Sequence, residues 1–406
     1  MTNRVAITGV GAITPLGVGK DKLFAGLVEG RTSFSFRSFN EPERFPRLPP
    51  AFVGMIEEFS VSEFLGRKKV RTLSRESQVL MSAAVMACQD AHISPGSWER
   101  ESVGVFTATN SAGLEDYVNL FVDGLTYGAS SVNPSQGPQT GLNAPSSQLA
   151  IHLGAEGPNI TLCSGATSGL EALAYAAEFI REQRMVVGLI GGVETLSFFS
   201  LHALASHSGF ASESPKPFDR ERRGPVLAEA GVVFVVEDLI HARARGARVL
   251  AEVGGVGQAF EPAATRDDME RAAVRAIEEG LRDEAVEAKE VDAVFASANG
   301  HPIGDASEAK VLHQVFGDKI PVYAVKGSVG ECLAAGSVLQ VAAALFSLNE
   351  GVVPATQGFE TPDPNLPPLH VTRETIAIKQ KRIMVHSLDP RGYAATLLLN
   401  KPEGQS

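Results

Sequence analysis

The run Ala230–Asp238, AGVVFVVED, leaves no polar stripe for water, whereas a strand with one wet face would alternate apolar and polar residues. A strand of this kind is buried on both faces and belongs inside a layered α/β structure, with helices covering each side of its sheet. The rest of the chain supplies such elements. Val5–Val10, Val103–Ala108 and Met185–Gly191 read as further buried strands, and SQVLMSAAVMACQDA within Gly66–Ile93 as an amphipathic helix burying Val79, Leu80, Ala83, Ala84 and Ala87. At 406 residues the chain exceeds the size at which one core stops growing, so halves are expected at 1–245 and 246–406. The second half repeats the order in outline: a strand from Val249, a helix Asp267–Glu284, a strand Val291–Ala296, a helix Ala306–Phe316, a Val/Tyr strand, a helix Cys332–Leu348 and a strand pair within 383–399. Residues 11–19 and 31–60 read as loops, 109–145 carry no clear pattern, and the tail reads as disordered.

Between Asn159 and Arg181 the sequence NITLCSGATSGLEALAYAAEFIR passes from a short apolar strand through Cys163 into a helix with apolar positions at Leu170, Leu173, Ala177 and Ile180. A thiol at a helix N-terminus meets unpaired N–H groups and a dipole that favour the thiolate, which makes Cys163 a candidate nucleophile. Free cysteines are also among the most buried residue types, so on these residues alone a structural role stays open. Cys88 and Cys332 read as structural.

Other chemistries are disfavoured. The formal charge of -11 argues against a nucleic-acid footprint over the whole surface. Three cysteines without a C-x-x-C pair point to a reducing compartment and against a zinc ribbon, and no histidine spacing suits a metal. The start MTNRVAITGVG lacks a secretory signal, and no apolar run reaches the roughly 18 residues that would span a bilayer, so a cytoplasmic protein without a membrane segment is expected. GVGAITPLG lacks the third spaced glycine of a dinucleotide loop and is broken by Pro15, so no cofactor is implied. The cluster Arg67, Lys68, Lys69 and Arg71 reads either as a solvated helix start or as a dock for an acidic partner.

Taken in order, RVAITGVGAITPLG, GRKKVRTLSRESQ, TLCSGATSGLEAL, GGVE at 191–194, KPFDRERRGPVLAEAGVVFVVEDLIHARARGA, HPIGDASEAKVLHQVFG and VKGSVGECLAAGSVLQ resemble the elongating β-ketoacyl-acyl-carrier-protein synthases of the thiolase superfamily. The resemblance covers nearly the whole chain. It implies an α/β, thiolase-like, five-layered αβαβα fold with two pseudo-symmetric halves. It also implies a homodimer, or a heterodimer with a second ketosynthase, and an acyl carrier protein or acyl-CoA as partner. Cys163 stands at the position of the acyl-accepting cysteine.

Two histidines that assist decarboxylation in the family are not in place. Ungapped counting puts Ser297 and Glu331 at their positions. His301 lies one residue before Pro302, either a loop-surface histidine or one that reaches the site from a reshaped loop. Lys326 is retained, and Glu308 stands where the family has a lysine-pairing glutamate, so a buried Lys326–Glu308 pair is expected. Glu331 is expected either to be protonated by burial or to act as a general base. The glycine-rich gating loop is replaced by SLDPRGYAATL, where Leu388, Asp389, Pro390 and Arg391 restrict movement. The residues fit a divergent acyltransferase acylated on Cys163, a non-catalytic partner resembling a chain-length factor, or a binding module with an inert cysteine.

Overall fold

A computed structural model describes residues 3–39, 49–66, 72–94, 96–205, 212–262 and 265–402. The main strands are β1 (Val5–Thr14), β2 (Val103–Ala108), β3 (Asn159–Leu162), β4 (Val187–Glu194), β5 (Ala230–Asp238), β6 (Ala251–Phe260), β7 (Ala293–Phe295), β8 (Pro321–Tyr323), β9 (Arg382–Leu388) and β10 (Tyr393–Asn400). The helices that position the site are α1 (Arg75–Asp90), α2 (Ser168–Arg181), α3 (Arg266–Glu284), α4 (Pro302–Phe316) and α5 (Ala334–Glu350).

The strands follow β1-β5-β4-β2-β3 in one half and β6-β10-β9-β7-β8 in the other. Directions repeat as well: the first two pairings in each series are antiparallel and the last two parallel. Antiparallel pairing of Val5–Ile7 with Ala251–Val253 joins the two series. Helix α1 covers the outer face of the first, α3 covers the outer face of the second, and α2 and α5 pack on one another between them. The result is the thiolase-like αβαβα arrangement of pseudo-symmetric halves.

The apolar run of β5 is explained by these layers. Val233 and Val235 pack toward α1, while Val232, Phe234 and Val236 pack into the central layer with Leu170, Leu173 and Val338 of α2 and α5. Helix starts are locally encoded. Ser74 accepts the Ser77 N–H ahead of α1, and Thr265 and Asp268 cap α3 reciprocally. The apolar positions expected in α1 are all fully buried.

Several boundaries differ from the sequence reading. Residues 11–14 continue β1, with Ala12 opposite Val232 and Ile13 opposite Gly231, and a tight turn leads to a short strand at Gly17–Val18. Gly11 is not a loop signal here: a Cβ on it would overlap the Ala83 carbonyl of α1, so the glycine permits close strand–helix packing. Within 31–60, Ser35–Arg37 pairs with Ala51–Val53. The unpatterned stretch 109–145 contains the helix Leu114–Tyr127 and the start of another at Ala144. The basic cluster at 67–71 and the tail beyond 402 lie outside the described residues.

Candidate active site

Parallel strands gather chemistry at their C-terminal ends, and both halves direct those ends to one place. Asn110 and Cys163 come beyond β2 and β3, and Glu194 ends β4; beyond β7, β8 and β9 come Ser297–Asn299, Lys326 and Asp389. A cavity of about 330 Å³ lies among them, bordered by Asn110, Gly165, Asn299, His301, Glu331 and Arg391. Cys163 is exposed, with Sγ 3.6 Å from Asn110 Oδ1, whereas Cys88 and Cys332 are buried.

The expectation that the helix N-terminus favours a Cys163 thiolate is not met. A 3-10 turn, Gly165–Thr167, intervenes before α2 begins at Ser168. Asp389 Oδ2 accepts the Ala166 N–H at 2.9 Å, so a carboxylate already answers the positive end of this turn. Partial burial pushes the Cys163 thiol up from its ordinary value, the Glu194 charge adds to this, and Arg391 acts the other way. Glu194 is itself fully buried, which raises its carboxyl to about 8. It accepts the Asn110 N–H and the Ser111 hydroxyl.

The lysine partner also differs from the sequence expectation. Lys326 Nζ donates to Glu331 Oε2 at 2.8 Å and to Ser297 Oγ at 3.4 Å, so the buried pair is Lys326–Glu331 and not Lys326–Glu308. Glu308 Oε1 instead accepts the Ser297 N–H at 2.7 Å. Burial raises its carboxyl to about 8. Two further donors reach Glu331: Asn299 Nδ2 at 2.6 Å and the Leu333 N–H at 2.8 Å. Every neighbour donates, which suits a carboxylate that accepts at both oxygens. Of the two expected roles of Glu331, protonated group or general base, the three donors fit the second, a carboxylate that accepts. Leu333 carries φ 46°, a conformation costing about 1–3 kcal/mol for a residue with a side chain, and its bond to Glu331 helps to hold it.

His301 is not a remote surface residue; it borders the same cavity. Its Nδ1 accepts the Gly304 N–H at 3.1 Å and caps α4, so a neutral ring carries its proton on Nε2. Partial burial lowers its pKa and favours that neutral ring. Its backbone N–H donates to Asn299 Oδ1 at 3.0 Å, which links it through Asn299 to Glu331.

The hairpin between β9 and β10 is anchored. Asp389 Oδ1 accepts from Arg391 N at 2.9 Å and Nε at 2.8 Å, and the Gly392 N–H bonds back to the Asp389 carbonyl at 2.9 Å. Although burial acts in the opposite direction, the bonds from Arg391 and Ala166 hold the Asp389 carboxyl below its usual range. Gly165, at φ +82°, lies directly beneath: a Cβ on it would overlap the Asp389 carboxylate and the Arg391 guanidinium.

Sequence reasoning singled out Cys163, Lys326, Glu308, Glu331 and His301 and missed Asn110, Glu194 and Asn299 as their neighbours. One signal was available. Glu194 ends an otherwise apolar strand, and a carboxylate there needs dedicated donors.

Residues 2–242 match the family described as "Beta-ketoacyl synthase, N-terminal domain", and residues 250–360 match "Beta-ketoacyl synthase, C-terminal domain". The chain belongs to the β-ketoacyl synthase family. A 3-oxoacyl-[acyl-carrier-protein] synthase 2 of Synechocystis is 28% identical over 98% of this chain and 98% of its own. A relative from Streptomyces halstedii named polyketide beta-ketoacyl synthase 1 is 29% identical over 99% of each chain. The ishigamide ketosynthase/chain length factor structure superposes with a TM-score of 0.90 at 24% identity, covering 99% of this chain and 100% of that one, a likeness of fold. In this β-ketoacyl synthase family member Cys163 directly follows β3 and is exposed, whereas Cys88 and Cys332 are buried. Among the described residues, no helix is long and apolar enough to cross a membrane, and no group of three or more His, Cys, Asp or Glu residues could hold a metal ion.

Proposed function

We propose that Cys163 accepts an acyl group from the thioester of an acyl carrier protein or of coenzyme A, and that the chain passes this group on without decarboxylating a malonyl unit. The observation that carries the reading is the exposed Cys163 thiol, bonded to Asn110 at the border of a cavity whose candidate acid–base group, Glu331, is held by three donors. In the exchange, the Cys163 sulfur attacks the donor carbonyl carbon. A new S–C bond forms, the old one breaks, and the departing sulfur leaves as a thiol with the proton Cys163 has given up. A thioester enolate needs hydrogen-bond donors, and a Glu331 carboxylate can only accept. His301, whose neutral ring carries its proton on Nε2, borders this cavity, and an acceptor other than a malonyl carbanion fits the remaining groups.

A dimer belongs to the proposal, with a second copy of this chain or a second ketosynthase. Support comes from β3, which among the described residues ends the sheet with an open edge, and from the helix Leu114–Tyr127, which buries none of its residues and exposes Tyr117, Phe121 and Leu125.

A non-catalytic role resembling a chain-length factor is favoured by one observation, the Asp389 carboxylate seated on the turn that follows Cys163. Intact-protein mass spectrometry after incubation with acyl-CoA and with acyl carrier protein separates the two readings. The expected result is a mass increase of one acyl group on the wild type that is absent from Cys163→Ala. No adduct from either donor, together with co-purification of a second synthase, would replace the first reading with the second.

A further inference from the structure

We propose that Asn110 is a positioning residue that holds the Cys163 thiol protonated and covers the adjacent Gly165 amide until an acyl carbonyl displaces its side chain. Only the last step, displacement, rests on the acyl-acceptor reading.

Two donors converge on one atom. Cys163 Sγ lies 3.6 Å and the Gly165 nitrogen 3.2 Å from Asn110 Oδ1, and because both groups donate, the atom between them is the amide oxygen. That oxygen stabilises S–H and repels a thiolate through its lone pairs. Asn110 is fixed from behind, since its own N–H donates to Glu194, whose other oxygen takes the Ser111 hydroxyl. The arrangement does not come from the thiol alone. It is assembled from the ends of β2, β3 and β4.

The charged and titratable groups around Cys163 come from each side. Glu194 stands at the end of β4; Asp389 and Arg391 sit on the β9–β10 turn; Glu331 and His301 lie across the cavity. Arg391 is the cation that favours a thiolate, and Asp389 holds it in a bidentate pair. The electrostatics therefore work in the same direction as the Asn110 contact.

The Ser164 N–H beside Cys163 is taken by the Ser168 hydroxyl, and the Gly165 and Ala166 amides after it also have occupants. Ala166 N–H is held by Asp389, which is fixed by Arg391, whereas Gly165 N–H is held by Asn110 through a single side chain. Rotation of Asn110 uncovers the Gly165 N–H, and a thioester carbonyl oxygen arriving at Cys163 takes over that donor as charge develops on it. The same movement removes the acceptor from the thiol, so release of the proton and binding of the carbonyl oxygen are coupled.

The test is the pH dependence of Cys163 alkylation by iodoacetamide, read by mass spectrometry on the full chain with buried Cys88 and Cys332 as internal controls. Asn110→Ala is expected to lower the midpoint by about one pH unit, which is roughly tenfold faster alkylation near neutral pH. Asn110→Asp keeps an acceptor oxygen and adds charge, so its midpoint is expected to rise. A change in the high-pH plateau of Asn110→Ala without a change in midpoint would reduce Asn110 to a steric screen and overturn the proposal. If Asn110→Ala does not fold, Asn110→Asp decides: a raised midpoint supports the proposal and an unchanged one overturns it. Incubation of the same variants with acyl-CoA keeps the two readings apart. Shifted midpoints without any acyl adduct would support the hold of Asn110 on the thiol while removing Cys163 as an acyl acceptor.

Discussion

Lys326 Nζ lies 2.8 Å from Glu331 Oε2, with the two side chains only 1% and 7% exposed. Such a pair offsets its own desolvation but leaves a stranded charge when one member is removed. Lys326→Met is therefore expected to cost about 3–5 kcal/mol in urea denaturation, and Lys326→Met with Glu331→Leu to recover much of that loss. The coupling should be small in the parallel cycle that combines Lys326→Met with Glu308→Gln, because Glu308 bonds to the Ser297 backbone. Equal coupling in both cycles would return Glu308 to the role of lysine partner.

Glu194 and Glu308 should set a pH dependence of stability. Burial raises each from 4.5 to about 8 in the fold, so the folded state holds their protons over a range where the unfolded chain has released them. Their contribution is complete below pH 4.5 and is lost as the pH rises toward 8. Thermal unfolding followed across that window should show the stability difference between wild type and Glu308→Gln falling with pH. A difference that stays flat would mean that Glu308 is ionised throughout.

Much of the layered fold is legible because burial is written in local patterns. β5 is apolar on both faces, α1 carries an amphipathic stripe, and the strand–helix order recurs after Arg245. The loops that bring residues together are less legible. Cys163 is conspicuous in TLCSGATSG, but nothing in that run reveals that Asn110 lies over the thiol or that Glu194 raises it. Those contacts arise from the register of β2, β3 and β4, which no single segment encodes. The Lys326 partner was misplaced for a similar reason. Glu308 and Glu331 are both carboxylates near the right place in the chain, and only their folded contacts separate them: Glu331 meets Lys326 while Glu308 takes the Ser297 N–H.

Gly165 tests how closely the β9–β10 hairpin is seated on the nucleophile turn. Its φ of +82° disfavours a side chain, and a Cβ there would overlap Asp389 and Arg391. Gly165→Ala is expected to lose about 1–3 kcal/mol of stability, measured by urea denaturation, and to raise proteolytic or exchange sensitivity within residues 389–392. Wild-type protection of that turn in the variant would show that the hairpin is held elsewhere.

Asp389 joins the hairpin to the Cys163 turn through the Ala166 N–H and braces Arg391 within the hairpin. Asp389→Ala removes both. The exposed amide and the lost bonds should cost about 1–3 kcal/mol, and hydrogen exchange should accelerate at Ala166 and Gly392. A second effect has a definite sign. Arg391 already draws the Cys163 thiol down against burial and Glu194, and without its carboxylate partner that influence grows. The alkylation midpoint of Cys163 should therefore fall in Asp389→Ala and return toward the wild-type value in Asp389→Ala combined with Arg391→Gln. If the double variant kept the lowered midpoint, the freed Ala166 N–H and not Arg391 would be the group acting on the thiol.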